Sequence, residues 1–291
     1  MINVEHVVGR IFNTDGVAFL DELPAESTDL VVCDGPYGVT THEWDNVQNI
    51  QEFNLNLIKK FSRILKQGGA LYLFGKPDCI DFIDYREYLS LQSRIVWYQP
   101  SRLAQGRKSF TNNYDVICYF AKGKPKTFNL EHIRVPQLVE LEHRKRCENV
   151  PSVKNGKYGK TVFNKDGKNP GDVWGDIKQL TYKSKELIGR DLLHTIQKPE
   201  RLIERIIKAS SNPGDMVIDP FVGSGTVPVV CERLGRKFIG CETNKLYFEI
   251  ASSRVQKEQK RIEKAADESL FKDDRTIQTP SVDFNQPVLL L

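Results

Sequence analysis

Residues 217–226 read VIDPFVGSGT: an apolar run that ends on an acid, a proline and an aromatic ring, followed by two glycines around a serine. Val217 and Ile218 suit a buried strand, and the residues after Gly225 suit a helix. Glycines at such a junction let the backbone turn tightly and approach a ligand with no Cβ in the way. The helix start that follows presents unpaired N–H groups. A second apolar run, KFIGCE at 237–242, ends on Glu242, 23 residues after Asp219. An acid at the end of the second strand is the arrangement that holds ribose hydroxyls in α/β sheets. Together these features predict a strand–helix–strand unit with a crevice for a nucleoside.

The kind of nucleoside follows from what is missing. A dinucleotide loop would place a third glycine at 228, but Pro228 stands there and supplies no N–H to a pyrophosphate. No GxxxxGK[ST] loop for a nucleoside triphosphate occurs in the chain. A nucleoside without phosphates, such as S-adenosylmethionine, fits these residues. Further strands are predicted at 9–13, 28–34, 69–75, 92–98 and 114–121, besides 215–220 and 237–242. Helical patterns lie at 16–22, 51–66, 78–89, 198–210, 224–235 and about 244–265. This alternation predicts an α/β protein with a mostly parallel sheet. The runs at 92–121 read as an antiparallel edge hairpin, and residues 124–185 read as a long, loop-rich functional segment.

Composition agrees with this reading. The 291 residues are 40% hydrophobic and 27% charged, as in a soluble globular protein. No apolar run reaches the length of a membrane span, and MINVEHVVGRIF lacks the features of a secretory leader. Six scattered cysteines without a CxxC pair predict a reducing cytoplasm and no structural zinc. Net charge is +4, yet residues 101–168 hold 15 Lys/Arg against 6 Asp/Glu, leaving about −5 for the rest. A basic stretch of that length, interleaved with Tyr and Phe, predicts a surface for a polyanion. Residues 267–291 read as a flexible tail.

One more strand ends on an acid. Residues 29–40 read DLVVCDGPYGVT, with Asp34, Gly35, Pro36 and Tyr37 where sheet order stops. With DGPY at 34–37, HTIQKP at 194–199, DPFVGSGT at 219–226 and GCE at 240–242, the chain resembles the DNA amino-methyltransferases, which methylate adenine N6 or cytosine N4. NTDG at 13–16, EWD at 43–45 and LKQGGALYLFG at 65–75 match as well. The order, with the acidic turn first and the glycine loop last, resembles the circularly permuted β group. The resemblance covers about residues 9–121 and 186–256.

It implies a Rossmann-like class I methyltransferase fold with a seven-strand sheet. Residues 1–123 would form the catalytic half, 124–185 a target-recognition insert and 186–266 the cofactor half. Asp34, Gly35, Pro36 and Tyr37 would be catalytic. The Asp34 carboxylate and the Gly35 carbonyl would take the two amine hydrogens, and Tyr37 would stack on a base flipped from the duplex. The family has Pro where Gly35 stands; glycine keeps the carbonyl and gives up stiffness, on the order of 1 kcal/mol of chain entropy. S-Adenosylmethionine would be held by Asp15, Lys198, Asp219, Phe221, Gly223, Ser224, Gly225, Thr226 and Glu242. Lys198 is expected to pair with the cofactor's carboxylate, His194 is a further cofactor candidate, and Asp15 lies near the adenine or caps a helix. Within HTIQKP the family has Pro and Thr where Thr195 and Ile196 stand.

Phosphate contacts from Arg102, Arg107, Lys108, Arg144 and Lys145 would supply affinity for double-stranded DNA. Trp97 and Tyr98 are candidates to line the base pocket. The implied activity is site-specific adenine-N6 methylation in a restriction-modification system, by a monomer or homodimer with a companion endonuclease. Cytosine-N4 methylation is the alternative, followed by RNA methylation and by a non-catalytic DNA-binding relative.

Overall fold

The computed structural model describes residues 2–38, 45, 47–81, 83–100, 108, 110–137, 151–154, 157–160, 164–181, 183–188 and 197–273. In chain order the strands are β1 Arg10–Phe12, β2 Thr28–Cys33, β3 Leu65–Gly75, β4 Ser90–Tyr98, β5 Tyr114–Ala121, β6 Pro151–Lys154, β7 Lys157–Lys160, β8 Val173–Trp174, β9 Met216–Asp219 and β10 Lys237–Cys241. The α-helices are α1 Gly16–Glu22, α2 Ile50–Ile64, α3 Pro77–Ile80, α4 Glu200–Ser210, α5 Thr226–Arg233 and α6 Lys245–Asp273.

The main sheet has eight strands in the order β1-β10-β9-β2-β3-β5-β4-β8. Every neighbouring pair is parallel except β3–β5 and β4–β5, so β5 alone runs against the rest. β2 and β9 are almost 190 residues apart in sequence, yet they pair through Leu30↔Val217 and Val31↔Ile218. The acidic turn and the glycine loop therefore emerge side by side from adjacent strands, although the chain encodes them at opposite ends.

Strand side chains alternate between two cores, as the period of two requires. Val31, Cys33, Leu71, Leu73, Ile218 and Ile239 enter one, under α1 and α2. Leu30, Val32, Tyr72, Phe74, Val217 and Phe238 enter the other, under α4, α5 and α6. α2 buries Leu57, Ile58, Phe61 and Ile64 at helical spacing, and Asn49 caps it by accepting from Glu52 N–H at 3.1 Å. Cys33, Cys79, Cys118, Cys231 and Cys241 are buried and free, filling core as small hydrophobes; Cys147 lies outside the described residues. Among the described residues no cluster of His, Cys, Asp and Glu is suited to a metal, and no helix is long and apolar enough to cross a membrane.

Three expectations need correction. The sheet has eight strands, because Val173–Trp174 adds to β4 in parallel through Val96↔Val173 and Trp97↔Trp174. Two residues carry no periodicity, so this strand exists only through its pairing. The helix expected at 78–89 is confined to Pro77–Ile80. Cys79 and Ile80 in this short helix, and Ile83 and Leu89 beyond it, all reach the first core, and burial overrides the pattern. The last helix continues to Asp273, past its expected end near 265. In the segment 124–185, β6 and β7 pair as an antiparallel two-stranded sheet.

Candidate active site

The parallel strands deliver a row of acids to one edge of the sheet. Asp15 follows β1, Glu242 follows β10, Asp219 ends β9 and Asp34 follows β2, in the spatial order of those strands. Ligands of open α/β sheets bind outside these carboxyl ends.

At the end of β2 the Asp34 carboxylate is held at both oxygens. Tyr37 donates its hydroxyl to Oδ1 at 2.8 Å, and Lys198 donates its ammonium to Oδ2 at 2.5 Å. The turn itself is clamped from below. Buried Asp45 accepts from the N–H groups of Tyr37 at 2.5 Å and Gly38 at 2.7 Å, and Cys79 donates its thiol to the Tyr37 carbonyl. Burial, and then the neighbouring Asp34 charge, raise the Tyr37 pKa well above the usual phenol value, so its hydroxyl remains a donor. Gly35 has no left-handed φ, but a Cβ there would lie 3.1 Å from Cε2 of Phe221. The turn and the glycine loop thus touch through the Phe221 ring.

The glycine loop is built on hydrogen bonds to acids. Phe221 donates its N–H to Oδ1 of Asp219 at 3.0 Å, and Gly223 donates to Oε2 of Glu242 at 2.8 Å. The other Glu242 oxygen accepts from Asn244 N–H at 2.8 Å. Gly225 has φ 89°, and a Cβ there would stand 2.9 Å from Ala251, so only glycine lets α6 pack on the loop. A Cβ on Gly223, at φ 53°, would meet nothing nearer than the Phe221 carbonyl oxygen at 4.0 Å, which leaves room for a ligand against its backbone. Thr226 opens α5 and donates its hydroxyl to the Lys198 carbonyl at 3.3 Å, while Arg254 reaches back to the Ser224 carbonyl at 2.7 Å. Burial above all raises the Asp219 pKa to about 8; the Phe221 N–H opposes this, and the Asp34 and Glu242 charges add to it. Burial also raises Glu242, against its backbone N–H donors.

The chemistry of this crevice fits a nucleoside carrying no phosphates. Glu242 offers acceptors for hydroxyls at a strand end, Phe221 offers a ring, and Gly223 leaves backbone accessible. Arg254, a cation at the loop, is taken up by the Ser224 carbonyl at 2.7 Å and by Glu200 at 2.9 Å.

Most expected site residues therefore meet at one edge: Asp34, Gly35, Pro36, Tyr37, Lys198, Asp219, Phe221, Gly223, Ser224, Gly225, Thr226 and Glu242. Asp15 stands in the same row and caps α1, its Oδ1 accepting from Val17 N–H at 2.7 Å and Ala18 N–H at 3.0 Å. Trp97 belongs to the core, with its indole N–H on the Ile177 carbonyl at 2.7 Å. Arg102, Arg107, Arg144, Lys145 and His194 lie outside the described residues; Lys108 is exposed. Asp45 and Arg254 are positioning groups that sequence reading left without a role. EWD at 43–45 pointed at Asp45, whereas nothing local marks Arg254.

The chain matches the N6/N4 methylase profile, described as DNA methylase, over residues 28–253. It is 34% identical over 254 residues to the Type II methyltransferase M1.MboII of Moraxella bovis, covering 84% of this chain and 95% of that one. It is likewise 34% identical over 258 residues to the DNA adenine methyltransferase YhdJ of Escherichia coli K12, covering 84% and 82%. Among solved structures, TTHA0409 of Thermus thermophilus, complexed with S-adenosyl-L-methionine, shares the fold at TM-score 0.57 and 21% identity, covering 86% of this chain and 93% of that one. The cytosine-N4-specific PvuII DNA methyltransferase does so at TM-score 0.57 and 18% identity, covering 87% and 91%. With its acidic turn and glycine loop on adjacent strands, this chain belongs to the N6/N4 DNA methylase family.

Proposed function

We propose that the protein transfers a methyl group from S-adenosylmethionine to the exocyclic N6 of adenine at a specific site in double-stranded DNA. The observation that carries this reading is the Asp34–Tyr37 turn, an ordered carboxylate and aromatic ring beside the glycine loop of the neighbouring strand. An adenine amine is a poor nucleophile because its lone pair is delocalised into the ring. The Asp34 carboxylate and the Gly35 carbonyl accept its two hydrogens and favour the pyramidal, nucleophilic form. Tyr37 stacks on the extruded base, returning about 1–3 kcal/mol of the few kcal/mol that flipping costs.

The bound cofactor supplies a methyl group activated on a sulfonium. The N6 lone pair would take the methyl carbon as sulfur keeps the electron pair of the broken carbon–sulfur bond, and Asp34 would receive the extra N6 proton or pass it to water. Phe221, Gly223 and Glu242 would hold the cofactor's nucleoside. The adenine assignment is supported by the aspartate that opens the motif and by YhdJ, a relative named for adenine. Duplex binding is supported by the basic stretch 101–168. Lys108 and the fully exposed Phe110 lie on the chain between β4 and β5, which joins those strands at the end of the sheet where Asp34 stands. The relatives named Type II methyltransferases support a companion endonuclease of the same recognition sequence.

Incubating the protein with duplex DNA and labelled cofactor, then digesting to nucleosides, tests the assignment. N6-methyladenine is expected. N4-methylcytosine would replace the base, and cofactor binding without transfer to any DNA would refute the enzyme.

A further inference from the structure

The Lys198 side chain is committed in an unexpected way. It is 5% exposed, against 27% for Asp34, and Asp34 is its ion-pair partner across 164 residues of sequence. Its ammonium lies 5.6 Å from the centroid of the Tyr37 ring and 5.5 Å from that of Phe74, so two aromatic faces replace much of its hydration. A buried ammonium needs a partner that satisfies it, and the short 2.5 Å contact with Oδ2 is that partner.

The backbone around Lys198 is tied on both sides. Gln197 accepts from Ile188 N–H at 3.1 Å and donates to the Glu186 carbonyl at 2.8 Å. Pro199 stands at the N-cap of α4, and Thr226 of the glycine loop's helix donates to the Lys198 carbonyl at 3.3 Å. The side chain therefore reaches Asp34 from a fixed origin.

We propose that Lys198 is a positioning residue for Asp34, rather than the holder of the cofactor's carboxylate. This rests on the reading of Asp34 as the acceptor for the target amine. A carboxylate at the end of a strand swings about its last torsion. Lys198 on Oδ2 and Tyr37 on Oδ1 together fix its plane. Oδ1 then presents its remaining lone pair in one direction, where an incoming N–H can be received. Fixing an acceptor before the substrate arrives lowers the barrier, because the cost of ordering is met during folding. Thr226 adds a link from the same residue to the glycine loop, so the acceptor and the cofactor crevice share one support.

The two roles separate in K198M, measured beside the native protein. Affinity for S-adenosylmethionine and S-adenosylhomocysteine is read by calorimetry without DNA, and kcat and KM for DNA at saturating cofactor. The proposal expects cofactor affinity within about 3-fold of native, an unchanged KM and a kcat lower by about 100-fold, as for a misplaced catalytic group. It also expects D34N/K198M to lose no more than D34N alone, and ethylammonium to restore part of the activity of K198A. Cofactor affinity weakened more than 10-fold with kcat preserved would overturn it, as would additive losses in the double variant. Should K198M lack the native circular dichroism, K198R carries the same comparison: cofactor affinity retained and kcat between those of native and D34N, with weakened affinity and native kcat again overturning it. Native protein that methylates no DNA would instead remove the reading of the site itself.

Discussion

Replacing Asp219 with Asn probes the electrostatics of the crevice. Its side chain belongs to the buried set, at 4% exposure, between the charges of Asp34 and Glu242. The carboxyl pKa rises from 3.8 to about 8, chiefly through burial. Between those values the folded chain keeps a proton that the unfolded chain has released. Stability therefore falls as pH rises from about 4 to about 8, and levels off above. At about 1.4 kcal/mol per pKa unit, the loss between pH 5 and pH 8 is on the order of 3–4 kcal/mol. Asn retains an oxygen for the Phe221 N–H and carries no charge, so it removes this slope while keeping the loop's hydrogen bond. Each kcal/mol moves the Tm of a chain this size by about 2–4 °C. The Tm of D219N minus that of the native protein should therefore widen by about 10 °C from pH 5 to pH 8. Scanning fluorimetry at half-unit pH intervals measures the difference, in which titrating groups not coupled to Asp219 cancel. A gap that stays constant across pH would refute the reasoning.

Proline at 35 would place a Cβ 3.1 Å from the Phe221 ring and require that half-buried ring to swing by a few tenths of an ångström. The stiffer turn returns about 1 kcal/mol; methyl-transfer assays should show native activity and G35P at least as fast, and an inactive native protein beside an active G35P would refute the view that the carbonyl suffices. Tyr37→Phe keeps the stacking ring and loses the bond to Asp34, whereas Tyr37→Ala loses about 1–3 kcal/mol of stacking. With 2-aminopurine at the target position, the fluorescence rise on binding should survive in Y37F and collapse in Y37A; equal signals would argue against stacking. Removing both charges in R107A/K108A should reduce the slope of log affinity against log salt by up to about 2, and an unchanged slope would exclude this stretch from the phosphate contacts.

Local chemistry makes much of the site legible in the sequence. Strands that bury both faces read as apolar runs, and their ends read as acids or glycines because the chain must turn there toward a ligand. Asp34, Asp219, Glu242 and the glycines at 223 and 225 were all visible in this way. The same residues now stand along one edge, since parallel strands point their carboxyl ends the same way. Asp15 shows the limit: an acid before a helix is compatible with a cap, a ligand contact or both, and the structure supplies the cap through one oxygen, Oδ1, which accepts from Val17 and Ala18.

The sequence alone determined the alternation of strands and helices, the nucleoside crevice and the order of its motifs, because these depend on neighbours within a few residues. Tertiary structure decided what depends on distant partners. It set β2 against β9, admitted Val173–Trp174 as an eighth strand, reduced the helix expected at 78–89 to Pro77–Ile80 and gave Lys198 to Asp34. Pairing and burial are won between segments far apart in the chain, and no local pattern records which of them will meet.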